Sequence, residues 1–199
     1  MDAAITALEE NVAEEVVVDG PMVLNGLTKF CAALKKNTAV RRLSLRDTKT
    51  KGATMIALSN AIAGCTSLEE LDLSRNAIQP SGIKTLLSAL ISAQGTLPAG
   101  AGVRRLRLED NSLLDDSCGA VLALLGGAHS LTAVSLRGCN IGDHALSAAC
   151  GALPGDAPLQ ELDLRSAPRA PPRAPRHRLS FRGNGAEHRG RGCPRGGAG

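Results

Sequence analysis

Apolar and polar residues fall in the same order five times along the chain. The copies are VRRLSLRDT at 40 to 48, LEELDLSRN at 68 to 76, VRRLRLEDN at 103 to 111, LTAVSLRGC at 131 to 139 and LQELDLRSA at 159 to 167. Counting from each start, positions 4 and 6 are apolar and the residues between and around them are mostly polar. That alternation is the period of a short strand with one face buried. The starts are separated by 28, 35, 28 and 28 residues, and the long interval is one repeat plus a seven-residue insertion around QGTLPAG.

The second half of each unit carries a different period. Positions 15, 18, 19 and 22 read Met55, Leu58, Ser59, Ile62; Ile83, Leu86, Leu87, Leu90; Cys118, Val121, Leu122, Leu125; and Leu146, Ala149, Cys150, Leu153. This spacing predicts a helix with one apolar stripe after every strand. Leu27, Phe30, Cys31 and Leu34 occupy the same positions 28 residues before Met55, so an earlier helix belongs to the array. A degraded strand is expected before it near VVVD, 16 to 19, which puts the first repeat start near residue 12. Residues 1–11 read as a helical or frayed leading segment, and the array as residues 12–166.

The pattern LxxLxLxx(N/C) followed by an amphipathic helix, at a 28-residue period, resembles the ribonuclease-inhibitor-like class of leucine-rich repeat. NAIQPSGIKTLLSAL at 76 to 90 carries the resemblance most fully. It implies an α/β solenoid, a curved right-handed array of short parallel strands with helices on the outside. A single unit has no partner for its apolar face and is stable only when stacked on its neighbours. The Asn at position 9, Asn76 and Asn111, is expected to satisfy backbone groups where the strand turns, with Cys139 doing so as a small buried residue and Thr48 as a weaker version.

The resemblance implies a non-enzymatic scaffold that binds a protein through the concave strand face and adjoining turns. Such repeats serve many partners, so the fold does not name one. Alternatives are a GTPase-activating or other GTPase-regulatory protein resembling Ran GTPase-activating proteins, or a fragment of a larger leucine-rich-repeat sensor or cytoskeletal regulator. The chain lacks the acidic C-terminal tail of the Ran regulators and has fewer repeats, and no residue match carries a catalytic role across. Outward positions of the strand face supply the candidates for partner binding: Arg42, Arg46, Asp72, Arg105, Arg107, Glu109, Arg137 and Asp163. Unlike charges alternate along position 3 (Arg42, Glu70, Arg105), so much of this face is expected to neutralise itself.

Composition changes the picture in two ways. Only 1% of residues are aromatic, with neither Trp nor Tyr, so the core must be aliphatic and the face lacks the commonest hot-spot side chains. The net charge of +4 belongs to the tail, residues 167–199, which holds eight Arg against Glu187 alone. Without it, 15 basic residues face 18 acidic ones. Ala, Arg, Pro and Gly fill 25 of its 33 positions, a composition unable to bury enough surface to order itself. The tail therefore reads as disordered. These four residues also have codons built wholly from G and C, so the tail is expected not to be the array's native continuation. Its RGR and RGG fragments are compatible with weak contact to nucleic acid or an acidic surface, but Phe181 is its sole aromatic and specific nucleic-acid binding is not expected.

The break after Ser166 leaves the fifth clear strand without its helix. Leu162 and Leu164 are thus expected to lack cover, and the array to fray or self-associate at that end. Candidate chemistry is sparse. Cys31, Cys118 and Cys150 occupy helix core positions, Cys65 falls in a loop and Cys193 is expected to be accessible. His129 and His144 stand in separate repeats with no triad or metal motif beside them, and no phosphate-binding glycine motif follows a strand, so no catalytic residue, cofactor or metal is assigned. The acidic start MDAAITALEENVAEE is unlike a secretory signal, and no apolar run is long enough to span a bilayer. An intracellular, cytoplasmic setting is expected.

Overall fold

The computed structural model describes residues 1–18, 20–22, 24–50, 52–93, 97, 101–111, 130–139, 141, 159–165 and 178–180. Helix α1 (Asp2–Glu10) precedes strand β1 (Glu15–Val17). Three strand–helix alternations then follow: α2 (Leu24–Lys36), β2 (Arg42–Ser44), α3 (Ala53–Ala63), β3 (Glu70–Asp72), α4 (Pro80–Ala93) and β4 (Arg105–Arg107). Strands β5 (Ala133–Ser135), β6 (Glu161–Asp163) and β7 (Arg178–Ser180) complete one seven-stranded sheet whose strands lie in chain order. β1 to β6 are parallel in the register set by the repeats, so Val16, Leu43, Leu71, Leu106, Val134 and Leu162 stand side by side. The chain is an α/β leucine-rich-repeat solenoid, as the repeat period implies.

Period two along three residues decides what each strand shows. The middle residue points inward, and all six of that row are buried, as are Leu45, Leu73, Leu108, Leu136 and Leu164 one step further on. Helix residues close the core from the other side: Phe30 and Leu34 on α2, Met55, Leu58 and Ile62 on α3, and Ile83, Leu86 and Leu87 on α4 are buried at the expected positions. Each such side chain contributes roughly 1.5–3 kcal/mol by leaving water. Cys31 is only half-buried. Its burial raises the thiol pKa while the Lys35 charge acts against it. Cys65 lies in the loop after α3 yet is buried, and Cys139 is buried. The helix positions assigned around Cys118 to Leu125 and Leu146 to Leu153, together with His129, His144 and Cys193, lie outside the described residues.

Three expectations are corrected. β1 begins at Glu15 and pairs Val16 with Leu43, 27 residues apart, whereas Leu27 keeps its 28-residue spacing from Met55. The strand thus lies one residue before the expected VVVD, and the first repeat starts near 13. Three consecutive valines offer no alternation to set a register, so the backbone decides: the Glu14 carbonyl accepts the N–H groups of Arg41 and Arg42 at 2.8 and 2.9 Å.

The second correction concerns the far end. Leu162 and Leu164 are 0% and 6% exposed, not bare, and the open edge of β6 is taken by β7, which runs antiparallel with Leu162 opposite Leu179. β7 lies inside the segment read as disordered. An unpaired strand edge is a template for any extended segment, and Arg178–Ser180 occupies it. The remainder of 167–199 lies outside the described residues.

The third concerns position 7, which the strand alternation turns outward at Arg46, Glu109 and Arg137: Ser74, at the same position of its repeat, is fully buried. At the N-terminal end, by contrast, residues 1–11 are ordered as the helix allowed for. Ala4, Ile5 and Leu8 of α1 enter the core, and Asn37 donates its side-chain amide to the Leu8 carbonyl at 2.7 Å. Asn11, in the left-handed region at φ 55°, ends the helix and accepts the N–H groups of Thr38 and Ala39 at 2.8 and 3.2 Å.

Candidate functional site: the outer face of the strands

Because middle strand residues point into the core, their neighbours form an outward grid with one column per strand. Its first row reads Glu15, Arg42, Glu70, Arg105, Ala133, Glu161, and its second Val17, Ser44, Asp72, Arg107, Ser135, Asp163. Adjacent columns are ~4.8 Å apart, so charge order along a row sets which side chains meet. In the first row Arg42 reaches Glu15, Nε to Oε2 3.3 Å, and Arg105 reaches Glu70, Nη1 to Oε1 2.7 Å. Four of the six first-row residues thus neutralise one another, as the alternation predicts, although Arg42 pairs with β1 and not with Glu70. Glu15 and Val17 were missed as face residues because β1 lacks the LxL signature. Its only signal is an apolar residue 27 positions before Leu43.

The remaining candidates divide by what already holds them. Asp72 accepts the Ser74 N–H at 2.8 Å and has Arg46 at 4.0 Å. Glu109 accepts the Ser135 hydroxyl at 3.1 Å. Asp163 is on the face but only 7% exposed, its carboxylate accepting from the Arg165 backbone N–H and guanidinium. Burial by itself would raise the Asp163 pKa. The side-chain and backbone bonds from Arg165, with the charges of Arg165 and Arg137, outweigh it and hold the carboxyl below the ordinary value. Arg107 and Arg137 are different: both are exposed, and neither makes a direct ion pair with a carboxylate among the described residues.

Over β1 to β4 the face dips into a shallow depression of about 190 Å³, bordered by Glu15, Val17, Ser44, Asp72, Arg105 and Arg107. Among the described residues Val17 is one of the few large apolar side chains left exposed, at 52%. Small-molecule pockets are usually deeper and larger, from roughly 300 Å³. An open dip with an apolar end and a charged end suits side chains brought by another macromolecule.

Beneath the face, the position-9 residues tie the repeats together. Asn76 donates its side-chain amide to Leu45 O of the preceding repeat at 2.7 Å and to its own Leu73 O at 2.9 Å. Its Oδ1 accepts the Thr50 N–H at 3.0 Å. Asn111 repeats the arrangement with Leu73 O, Leu108 O and the Ile78 N–H, and the Cys139 thiol donates to Leu108 O at 3.0 Å. Thr48 donates to Leu45 O in its own repeat and reaches only Asn76 beyond it. The strand-to-helix turns beside this ladder need a left-handed residue at position 8. Asp47, Arg75, Asp110 and Gly138 all have positive φ there, and only the last lacks a Cβ to strain.

A family model described as Leucine Rich repeat matches residues 64–87 and 127–148. Leucine-rich repeat-containing protein 73 of Rattus norvegicus and that of Homo sapiens are each 35% identical over 152 residues, covering 72% of this chain and 44% of the relative. NACHT, LRR and PYD domains-containing protein 13 of Homo sapiens is 28% identical over 141 residues, covering 70% of this chain and 13% of its own. The chain therefore spans less than half the length of these curated relatives. Among solved structures, one titled Leiomodin-1 Actin-Binding Site 2 (ABS2) superposes with a TM-score of 0.55 at 21% identity, over 67% of this chain and 76% of the other. At that identity the likeness is one of fold. Among the described residues no helix is long and apolar enough to cross a membrane.

Proposed function

The chain is a leucine-rich-repeat protein, and from that premise we propose that it is a non-enzymatic scaffold holding another protein against the outer face of its strands. The reading rests on one contrast. The inner sides of β1 to β6 are closed by core, while the outer sides present a mostly polar grid with a shallow dip at β1 to β4. Rigid strands hold these side chains at fixed spacing, so a partner meets a preorganised surface and the ordering cost of binding is reduced. The 28-residue period and the position-9 ladder support reading the array as one of the ribonuclease-inhibitor-like class. A cytoplasmic setting suits a face whose recognition is mainly charge.

Site-specific photo-crosslinking tests the reading. A benzophenone side chain introduced at Ser44, on the strand face, should give discrete protein adducts in cells, and the same group at Ser88, exposed on α4, should not. Adducts from Ser88 with none from Ser44 would move the binding surface to the helices and overturn the proposal.

A further inference from the structure

The charges of the strand face are not evenly satisfied, and the imbalance specifies what a partner should bring. On β1 to β3 the acids and bases cancel in place. On β4 and β5, Arg107 and Arg137 stand exposed and make no direct ion pair among the described residues, Arg137 acting on Asp163 only through its charge, while each neighbouring acid is engaged by another donor: Asp72 by Ser74 and Arg46, Glu109 by Ser135, and Asp163 by Arg165. We propose that Arg107 and Arg137 form a subsite for two carboxylates of an extended segment of a partner protein, spaced two residues apart. This rests on the strand-face reading and narrows it to β4 and β5.

Spacing supports the assignment. Arg107 lies opposite Ser135 in the parallel register, and Arg137 is two residues past Ser135 on the same face. A strand separation of ~4.8 Å and a rise of ~3.3 Å per residue put the two Cα atoms about 8 Å apart. In an extended segment, residues i and i+2 project to one side about 7 Å apart, and flexible arginine stems absorb the difference. Each guanidinium presents a planar fork that matches a carboxylate with two parallel hydrogen bonds. Arg42 and Arg105, alike in sequence, are excluded because Glu15 and Glu70 already hold them.

The test uses the full chain and NMR signals of the arginine Nε–H groups, titrated with a nine-residue peptide carrying Glu-Thr-Glu at its centre. Saturable shifts are expected at Arg107 and Arg137, roughly threefold weaker when the centre is Glu-Glu-Thr because one exposed ion pair is lost. The backbone amide shifts at β4 and β5 expected alongside them should vanish in the double variant R107Q/R137Q, whose melting temperature should match the parent since both side chains are exposed. Equal shifts at Arg42 and Arg105 would overturn the subsite. So would inorganic phosphate or an oligouridylate binding at least as tightly, which would make it a general anion site. Shifts of the Glu15, Glu70 and Asp72 amides by a Lys-Thr-Lys peptide, with the arginines still, would overturn the subsite and leave the strand-face reading intact. Stillness of every face signal with every probe would remove the subsite, while the crosslinking outcome decides the broader reading separately.

Discussion

Two polar ladders cross the repeats at right angles to the strands, one under the surface and one on it. The inner ladder runs through Thr48, Asn76, Asn111 and Cys139, and the outer one through Glu15, Arg42, Glu70 and Arg105. Both use side chains at a fixed repeat position to reach a neighbouring repeat. They differ in solvent. A buried amide that fails to pair costs about 1–3 kcal/mol per orphaned group, whereas an exposed ion pair is worth about 0–1 kcal/mol because water replaces either partner. The inner ladder is therefore part of the fold. The outer one contributes little to it.

The largest test of that contrast is Asn76→Ala. It leaves the Thr50 N–H without its acceptor and takes one of two donors from each of the Leu45 and Leu73 carbonyls, which keep Thr48 and Asn111, so a loss of about 2–4 kcal/mol is expected. That corresponds to a fall in melting temperature on the order of 10 °C. Asn76→Cys should recover part of it, since Cys139 fills the equivalent position through a thiol donor. A loss below about 1 kcal/mol for the alanine variant would show the inner ladder to be as replaceable as the outer. Thr48→Val comes next. It keeps the side-chain shape but removes a buried hydroxyl bonded to Leu45 O and to Asn76, and about 1–2 kcal/mol should be lost in denaturant titration.

The two ladders were not equally legible in the sequence. Asn76, Asn111 and Cys139 could be assigned because the repeat places them at one position and burial leaves them one task. The strands followed from LxL, which admits a single register once one face is buried. Which charges would meet was harder to read. Arg42 has an acid on either side, and its choice of Glu15 depends on a β1 register that three valines conceal. Composition alone misjudged 178–180, since what places β7 is the vacant edge of β6, a property of the array and not of the tail.

Acid should act on the face first. The inner ladder does not titrate near pH 4, but Asp163 does. Its folded pKa lies below the ordinary 3.8, so its contribution is complete above the unfolded-chain value and disappears as pH falls through the folded one. Melting temperatures of the parent and Asp163→Asn should thus differ above about pH 4 and converge in stronger acid. A constant gap down the acid limb would mean the carboxylate's charge is not what Arg165 stabilises. Smaller still is the Glu70–Arg105 coupling, which a double-mutant cycle should place at about 0.2–1 kcal/mol and which salt should weaken. A coupling above about 2 kcal/mol would mark that pair as structural.

The smallest effect belongs to a residue between the two ladders. Ser74 shares a repeat position with Arg46, Glu109 and Arg137, yet its backbone is held from three sides. Its N–H donates to Asp72, while its carbonyl accepts from Asp47 N–H and from the Asn76 amide. The side chain is thereby drawn under the surface, where Oγ has no hydrogen-bond partner among the described residues. Ser74→Ala removes a desolvated hydroxyl and leaves every backbone bond in place, so stability should be unchanged or rise by up to about 1 kcal/mol. A loss of that size would mean that Oγ is bonded after all. The inner ladder would then extend one residue outward, and the boundary between the part of the face that folds the chain and the part left for a partner would lie beyond Ser74.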